Sequence, residues 1–543
     1  MSFTFAAFLI TGASGRSPIV EAKRLSGHLK VLASDAFEGR APGTRGEAKT
    51  IAYLVAQYRK LGLKPGAADG GWTQEVPLRR IETIGPTRSS FSYGGKSRPL
   101  TELKEIVVNT HSATTQVALK GAPLVFIGFG ISAPERNWDD FKGYDLRGKV
   151  AVILFNDPDF EMAPTNPAFG RFDGKTLTYY GRWTYKLEEA ARRGAAGVLL
   201  VHEAAPATYG WDTLANSNKT AQYALGQAGA VGKDPLVRGF ITRDVAVELF
   251  KAAGLDFDVE KGLAQSETFR PQPLNGVTFS TEFDVRTSIV VSHNVIAKLP
   301  GTSRPQETII YSAHWDHLGI GPPDSRGDRI YNGALDNASG VASLLELARV
   351  FAASPRLPRT ISFIDFTAEE QGLLGSEYYA AHPVTPLETT VAVLNIDGAT
   401  LKGVARDISS RGDSPLNRLL AAAAERRGRR FTPDTANEEG YFYRGDQFSF
   451  AKMGVPGMAY ASGLDLEKGG VEAGRAWAKD YIAHRYHQPS DEWRPDLNLA
   501  GAVIDTMIYY DLGKTLASSR LWPEWDAKSP FRAHRDLSAR ARE

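Results

Sequence analysis

From Asn294 onward the sequence alternates short β-rich runs with stretches of helical periodicity, and this alternation restricts the fold more than any other feature of the chain. Strands are predicted at Thr308 to Ser312, Thr360 to Phe366 and Val391 to Ile396. Between the first two, Val341, Leu344, Leu345, Ala348 and Phe351 recur at helical spacing, and Val503, Ile504, Met507 and Ile508 mark a second helix face near the end. The pattern predicts an α/β domain with a mixed central sheet flanked by helices, over about residues 281–520.

The rest of the chain divides by texture. In residues 23–85 the apolar positions Leu25, Leu29 and Leu32, then Ile51, Leu54, Val55, Tyr58 and Leu61, predict two amphipathic helices joined by a turn-rich link at 37–44. Residues 86–280 read as a separate β-rich module, with a helix over Thr184 to Arg193 and a buried strand over Gly197 to His202. Residues 521–543 form a polar tail expected to lie on the surface or fray. In residues 1–22 the apolar run Phe3 to Ile10 precedes Thr11, Gly12, Ala13 and Ser14, the order found at the end of a secretory signal, but no positive residues come before it. A degenerate export leader and a disordered terminus both fit.

At 543 residues the chain is longer than one domain of about 100–200 residues. Lys+Arg number 64 and Asp+Glu 62, so no global field points to nucleic acid or an anionic membrane. No run reaches the roughly 18 apolar residues of a membrane span. The chain has no cysteine, which excludes disulfides, thiolate-ligated metals and a thiol nucleophile. Any metal site must use His, Asp and Glu.

Those residues gather where the predicted strands end: His314, Asp316 and His317; Asp336; Glu369 and Glu370; Asp397. A further segment, Tyr486 to Glu492, carries His487. The carboxyl ends of strands in an open α/β sheet line one crevice, so these segments can meet. Several carboxylates in one crevice of low polarity repel and take up protons unless a cation holds them. Imidazoles with carboxylates suit Zn²⁺. Asp365, inside an apolar strand, needs a donor that the local sequence does not supply.

In this order the segments resemble the M28 family of zinc peptidases. The resemblance implies an exopeptidase, with an aminopeptidase as the primary reading and a peptide as substrate. It assigns His314 and Asp397 to one zinc, Glu370 and His487 to a second, and Asp336 to a bridge between them. It makes Glu369 the general base, Asp316 the partner that orients His314, and Tyr486 a hydroxyl for the oxyanion. His317 receives no ligand role. Tyr144 to Val150 and Ala190 to Gly197 resemble the protease-associated (PA) domain inserted in many members of the family.

Residues 441–450 resemble the loop beside the family's substrate pocket, with Tyr443, Arg444 and Asp446 as substrate-binding candidates. Relatives often read Ser-Asp-His where this chain has Gly445-Asp446-Gln447. A surface ion pair between Arg444 and Asp446 is the competing reading. The resemblance also admits a carboxypeptidase or dipeptidase, a one-zinc glutaminyl cyclase, or a receptor-like protein that has lost catalysis. It implies export to a periplasm or the medium, with the cytoplasm as the alternative. Oligomeric state is not legible.

Overall fold

The computed structural model describes residues 18–218, 221–226 and 234–542. The expected leader therefore lies, up to residue 17, outside the described residues. The chain starts with α1 (Ala22–Leu32) and α2 (Arg45–Lys60), which bury Leu25, Leu29 and Leu32, and Leu54 and Tyr58. The Thr44 hydroxyl accepts the Glu47 backbone N–H, satisfying one of the orphan donors that open α2.

Next come β1 (Thr73–Tyr93), β2 (Gln116–Phe126), β3 (Val150–Leu154), α3 (Trp183–Arg192), β4 (Gly197–His202), β5 (Val237–Thr242) and the 28-residue β6 (Gln272–Leu299). Strands β2, β3, β4 and β5 lie side by side and parallel. The second half supplies β7 (Arg304–His314), α4 (Ser339–Ala352), β8 (Arg359–Phe366), β9 (Thr390–Asn395), α5 (Gln447–Lys452), β10 (Gly457–Ser462), α6 (Gly470–His484) and α7 (Ala500–Ser518). Strand β7 runs parallel to β8 and to β9, and β9 parallel to β10.

Strand β6 belongs to both halves. It pairs antiparallel with β2 near its start and with β8 near its end, so the parallel blocks join in one 16-stranded mixed sheet. Strand β1 follows β6 from Val277 opposite Tyr93 to Val295 opposite Thr73. The expected boundaries at 85/86 and 280/281 thus fall inside continuous strands. An antiparallel ribbon carries the chain from one core to the next by backbone pairing, with a register shift between Glu282, opposite Arg88, and Asp284, opposite Ile84, at the passage.

The cores themselves are distinct. Ile309, Tyr311 and Ala313 of β7 pack with Leu344, Leu345 and Phe351 of α4, with α1 and α2, and with Ile508 and Leu512 of α7. Ile310 faces the opposite side with Ile364, Val393 and Phe450. Both faces of this sheet are buried, as parallel strands require. Val150, Val152 and Leu199 belong to a separate cluster in the first half.

The missing donor for Asp365 is Tyr58 on α2, whose hydroxyl donates to the carboxylate at 2.7 Å. Burial pushes Asp365 up to about 7, against the Tyr58 bond. The native state then holds a proton that the unfolded chain has released, so stability is full below about pH 4 and declines as pH rises through about 7. A difference of that size is worth about 4 kcal/mol. Asp365→Asn is expected to raise the unfolding free energy at pH 8 by up to that amount and to flatten the decline, read by urea denaturation across pH.

The C-terminal segment docks on the surface and does not fray. Trp525 Nε1 donates to Gly454 O at 2.9 Å, Trp525 and Phe531 are buried with Phe442 and Phe448, and buried Arg535 donates to Thr390 O. Its three buried anchors are spread among polar neighbours, so no periodic apolar face announces them in the sequence. No helix among the described residues is long and apolar enough to cross a membrane.

Candidate metal centre

Because β7, β8 and β9 are parallel, their carboxyl ends reach the same edge of the sheet. His314 ends β7 opposite Phe366 of β8, which leads directly into Glu369 and Glu370. Asn395 ends β9 opposite Ser312, and Asp397 follows two residues later. Asp336 comes from the loop before α4, and His487 from the turn after α6.

The side chains converge about Asp336. Its Oδ1 lies 3.3 Å from His314 Nε2 and its Oδ2 3.2 Å from His487 Nε2. His314 Nε2 is also 3.4 Å from Asp397 Oδ1, and His487 Nε2 is 3.1 Å from Glu370 Oε2. Each imidazole therefore meets one oxygen of the shared carboxylate and one further carboxylate. These separations match the edge of a coordination shell: two ligands about 2.0–2.1 Å from one tetrahedral cation lie roughly 3.3 Å apart. Glu369 Oε2 stands farther off, 3.9 Å from His314 Nε2. Donor atoms of His314, Asp336 and Glu370, and of His314, Glu369 and Asp397, also cluster closely enough to hold an ion. On the 3.1–3.4 Å separations the set His314, Asp397, Asp336, Glu370 and His487 fits best, with Glu369 beside it.

The surroundings fix this geometry. Asp491 accepts the backbone N–H groups of Leu335 and Asp336, at 3.0 to 3.1 Å, tying the His487 turn to the Asp336 loop. Asn337 donates to Ile396 O and accepts from Gly398 N–H, tying the Asp336 loop to the Asp397 loop. His317 Nδ1 lies 2.5 Å from Glu370 Oε1, so His317 steadies Glu370 from behind. Gly333 has φ +55, and a Cβ there would sit 2.6 Å from the His317 ring, which leaves room only for glycine. Asp316 approaches His314 Nδ1 with its backbone O at 3.2 Å and its carboxylate at 3.7 Å, and its Oδ1 accepts the Glu369 backbone N–H at 3.1 Å.

Beneath the cluster lies Arg40, a residue that sequence reasoning missed. It is buried and donates to the carbonyls of Trp315, Leu32, Asn332 and Gly333 at 2.6 to 3.0 Å. Burial lowers its pKa to about 10, while Asp316, Asp336, Asp491 and Glu370 oppose that fall. Burial would raise Asp336, yet the bonds to His314 and His487 hold it well below the usual carboxylate range. Burial also drives Glu369 well above its ordinary value, with Asp397, Glu370 and Asp446 adding to the rise against His314. The carboxyl groups of Asp316, Asp336, Glu369, Glu370, Asp397, Asp446 and Asp491 outnumber the three imidazoles and Arg40, and divalent cations between the imidazoles and carboxylates would favour their ionised form.

The remaining candidates sit around this cluster. The Tyr486 ring stacks on His487 with centroids 3.9 Å apart and stays partly open to solvent. Asp446 is fully buried, and burial pushes it to about 7 against the pull of His314 and Ser376. The competing reading of a surface ion pair does not hold, because Arg444 is instead stacked 5.2 Å over the Tyr441 ring. Arg444 closes the turn Tyr441–Arg444 and Asp446 precedes the next helix, which the spacing of two residues does not reveal. Tyr443 packs between Phe442 and Phe448. Gln447 is buried and donates to Phe442 O at 2.7 Å.

An imidazole–carboxylate cluster at the carboxyl edge of a mixed α/β sheet defines a candidate metallohydrolase. Residues 294–511 match the model of Peptidase family M28, and this stretch of the chain is similar to that family. Among curated relatives, the chain is 25% identical over 279 residues to "Probable lipoprotein aminopeptidase LpqL" of Mycobacterium tuberculosis, covering 45% of this chain and 52% of that one. It is 40% identical over 104 residues to a "Probable zinc metalloprotease" of Pyrenophora teres f. teres, 19% of this chain and 22% of the relative. The chain thus spans about half or less of the length of these relatives. A solved aminopeptidase from Aneurinibacillus sp. is 20% identical, with a TM-score of 0.49 over 94% of this chain and 96% of that one.

Proposed function

We propose that the chain is a two-zinc exopeptidase that removes the N-terminal residue from peptides. The observation that carries this reading is the Asp336 carboxylate, which offers one oxygen to His314 and the other to His487 while each imidazole has a further carboxylate partner. The residues fit zinc, and His314, Asp397 and Asp336 would hold one ion, with Glu370, His487 and Asp336 holding the other. Zinc bound there polarises the scissile carbonyl and makes water a nucleophile at neutral pH.

The chain's own residues do the rest. Glu369 takes the proton of the attacking water and delivers it to the leaving amine. Burial and the nearby carboxylates give it the proton affinity to hold that proton between the two transfers. Its backbone N–H, held by Asp316, fixes where it stands. The Tyr486 hydroxyl, beside His487, donates to the developing oxyanion. Asp491 and Arg40 keep the loops from spreading under the charge they carry. The segment built from residues 86–280 serves as the protease-associated part, whose 177–179 stretch rests on the loop beside the cluster: Leu177 N–H donates to Asn437 O at 3.1 Å, and Tyr179 packs on Phe448. We further propose an exported location, on the resemblance and the leader-like start.

The test is a panel of aminoacyl-arylamides and dipeptides, each free and N-acetylated, assayed with and without chelator. The expected result is release from the free amines only, abolished by chelator and restored by zinc. Equal release from N-acetylated peptides would assign the chain to carboxypeptidase chemistry.

A further inference from the structure

The loop that carries Glu369 and Glu370 leaves the sheet at Phe366, the end of β8, and returns at the helix Leu374–Ala381. Its neck is narrow. Gly375 N–H donates to Thr367 O at 3.0 Å, and Leu374 N–H to Ala368 O at 3.1 Å. A Cβ at Gly375 would collide with Thr367 O, so glycine is what lets the two sides approach. Within the loop, Ala368 (φ +51) and Leu373 (φ +65) hold left-handed backbone that residues with side chains seldom adopt. A turn of that kind persists only while its surroundings hold it.

The holder is Asn294 on β6. Strand β6 pairs with β8 up to Val295 opposite Asp365, and just past that point the Asn294 side chain takes over from the backbone. Its Oδ1 accepts the Thr367 N–H at 3.1 Å and its Nδ2 donates to Gly375 O at 2.9 Å, so one amide grips both sides of the neck. The second amide hydrogen goes to Gln74 Oε1 at 3.1 Å, and Gln74 is itself set by donating to His382 O at 2.8 Å. Two residues earlier on β6, the Ser292 hydroxyl shares a 2.6 Å hydrogen bond with that of Thr367. Ser292, Asn294 and Thr367 are fully buried. The grip needs a donor and an acceptor on one short, rigid plane, which asparagine has and ionised aspartate lacks.

The two carboxylates on the loop are held differently. Glu370 is met at its side chain, by His317 and His487. Glu369 is gripped by its backbone: its N–H goes to Asp316, and its carbonyl accepts the N–H groups of Gly372 and Leu373 at 2.8 and 2.9 Å. The Glu369 side chain therefore goes where the loop goes.

We propose that Asn294 is a positioning residue for Glu369, its amide clamping the neck of the loop and so setting kcat, with no part in the metal set. The proposal rests on the peptidase reading above.

The test is Asn294→Asp in the full zinc-loaded chain. The substitution keeps the size of the side chain and the acceptor for Thr367, and loses the donor for Gly375 O. On aminoacyl-arylamides kcat is expected to fall roughly ten- to hundredfold with KM little changed and zinc content unaltered, since a small misplacement of a reacting group is enough for that. Hydrogen exchange followed by mass spectrometry is expected to quicken in the 367–376 segment. In the Glu369→Gln background the same substitution is expected to change kcat by less than about twofold, because misplacing a side chain that no longer takes the proton has no further effect. These slow variants are followed with enzyme in excess of substrate.

An unchanged kcat, an equal fall in both backgrounds, zinc lost along with activity, or unaltered exchange of the segment would overturn the assignment. Thermal unfolding checks each variant, and if Asn294→Asp does not fold, the smaller and uncharged Asn294→Ser takes its place with the same expectations. An unaltered chain that cleaves no peptide would overturn the peptidase reading and this assignment with it, an outcome distinct from an active chain indifferent to Asn294.

Discussion

Glu369→Gln is expected to lower kcat by roughly 10²–10⁴-fold while leaving the zinc content of the purified chain unchanged. Glutamine keeps the shape of the side chain and the backbone N–H that Asp316 holds, and it loses only the ability to take a proton. Glu369 Oε2 stands 3.9 Å from His314 Nε2, outside the 3.1–3.4 Å separations of the other carboxylates, so its replacement removes no ligand from the best-fitting set. Metal analysis and steady-state kinetics on one preparation check both halves of the expectation. A variant with full activity, or one that loses zinc along with activity, would contradict the role given to Glu369.

Asp336→Ala is expected to have the largest effect, removing activity to the limit of detection and releasing both ions together. In contrast to Asp397 or Glu370, Asp336 faces both imidazoles at once. Without it, His314 and His487 each keep one carboxylate, Asp397 and Glu370 respectively. Asp397→Ala, by comparison, is expected to weaken one ion while the other stays. Titration of each variant with zinc, read by metal content after gel filtration, separates these outcomes. Stepwise loss of one ion in Asp336→Ala would show that the carboxylate does not bridge.

The site was legible where its residues sit at the ends of predictable elements. His314, Glu370 and Asp397 follow strands whose β-rich runs announce themselves, and parallel pairing then brings them together without further information. Arg40 was not legible. Its partners Trp315, Asn332 and Gly333 lie more than 270 residues away, and nothing in its own turn distinguishes it from a surface arginine. Asp491 was in view within the His487 segment, yet its role in holding the Asp336 loop depends on hydrogen bonds across 155 and 156 residues.

Asp365 shows both sides of the matter. Its position in an apolar strand signalled an unmet need, and periodicity put Tyr58 on the buried face of α2, but only the packing of α2 against the sheet joins them. The fold class followed from alternation of strand and helix. The passage from one core to the other did not, because the ribbon of β1 and β6 runs on through the change in composition with only a register shift between Glu282 and Asp284. The competing reading of an Arg444–Asp446 ion pair fails because Asp446 is buried while Arg444 lies on Tyr441.

The most direct measurement is the zinc content of the purified full chain, by elemental analysis after dialysis against a weak chelator. The account predicts two zinc ions per chain, both lost in Asp336→Ala. A single ion per chain, or two ions that survive removal of Asp336, would contradict it.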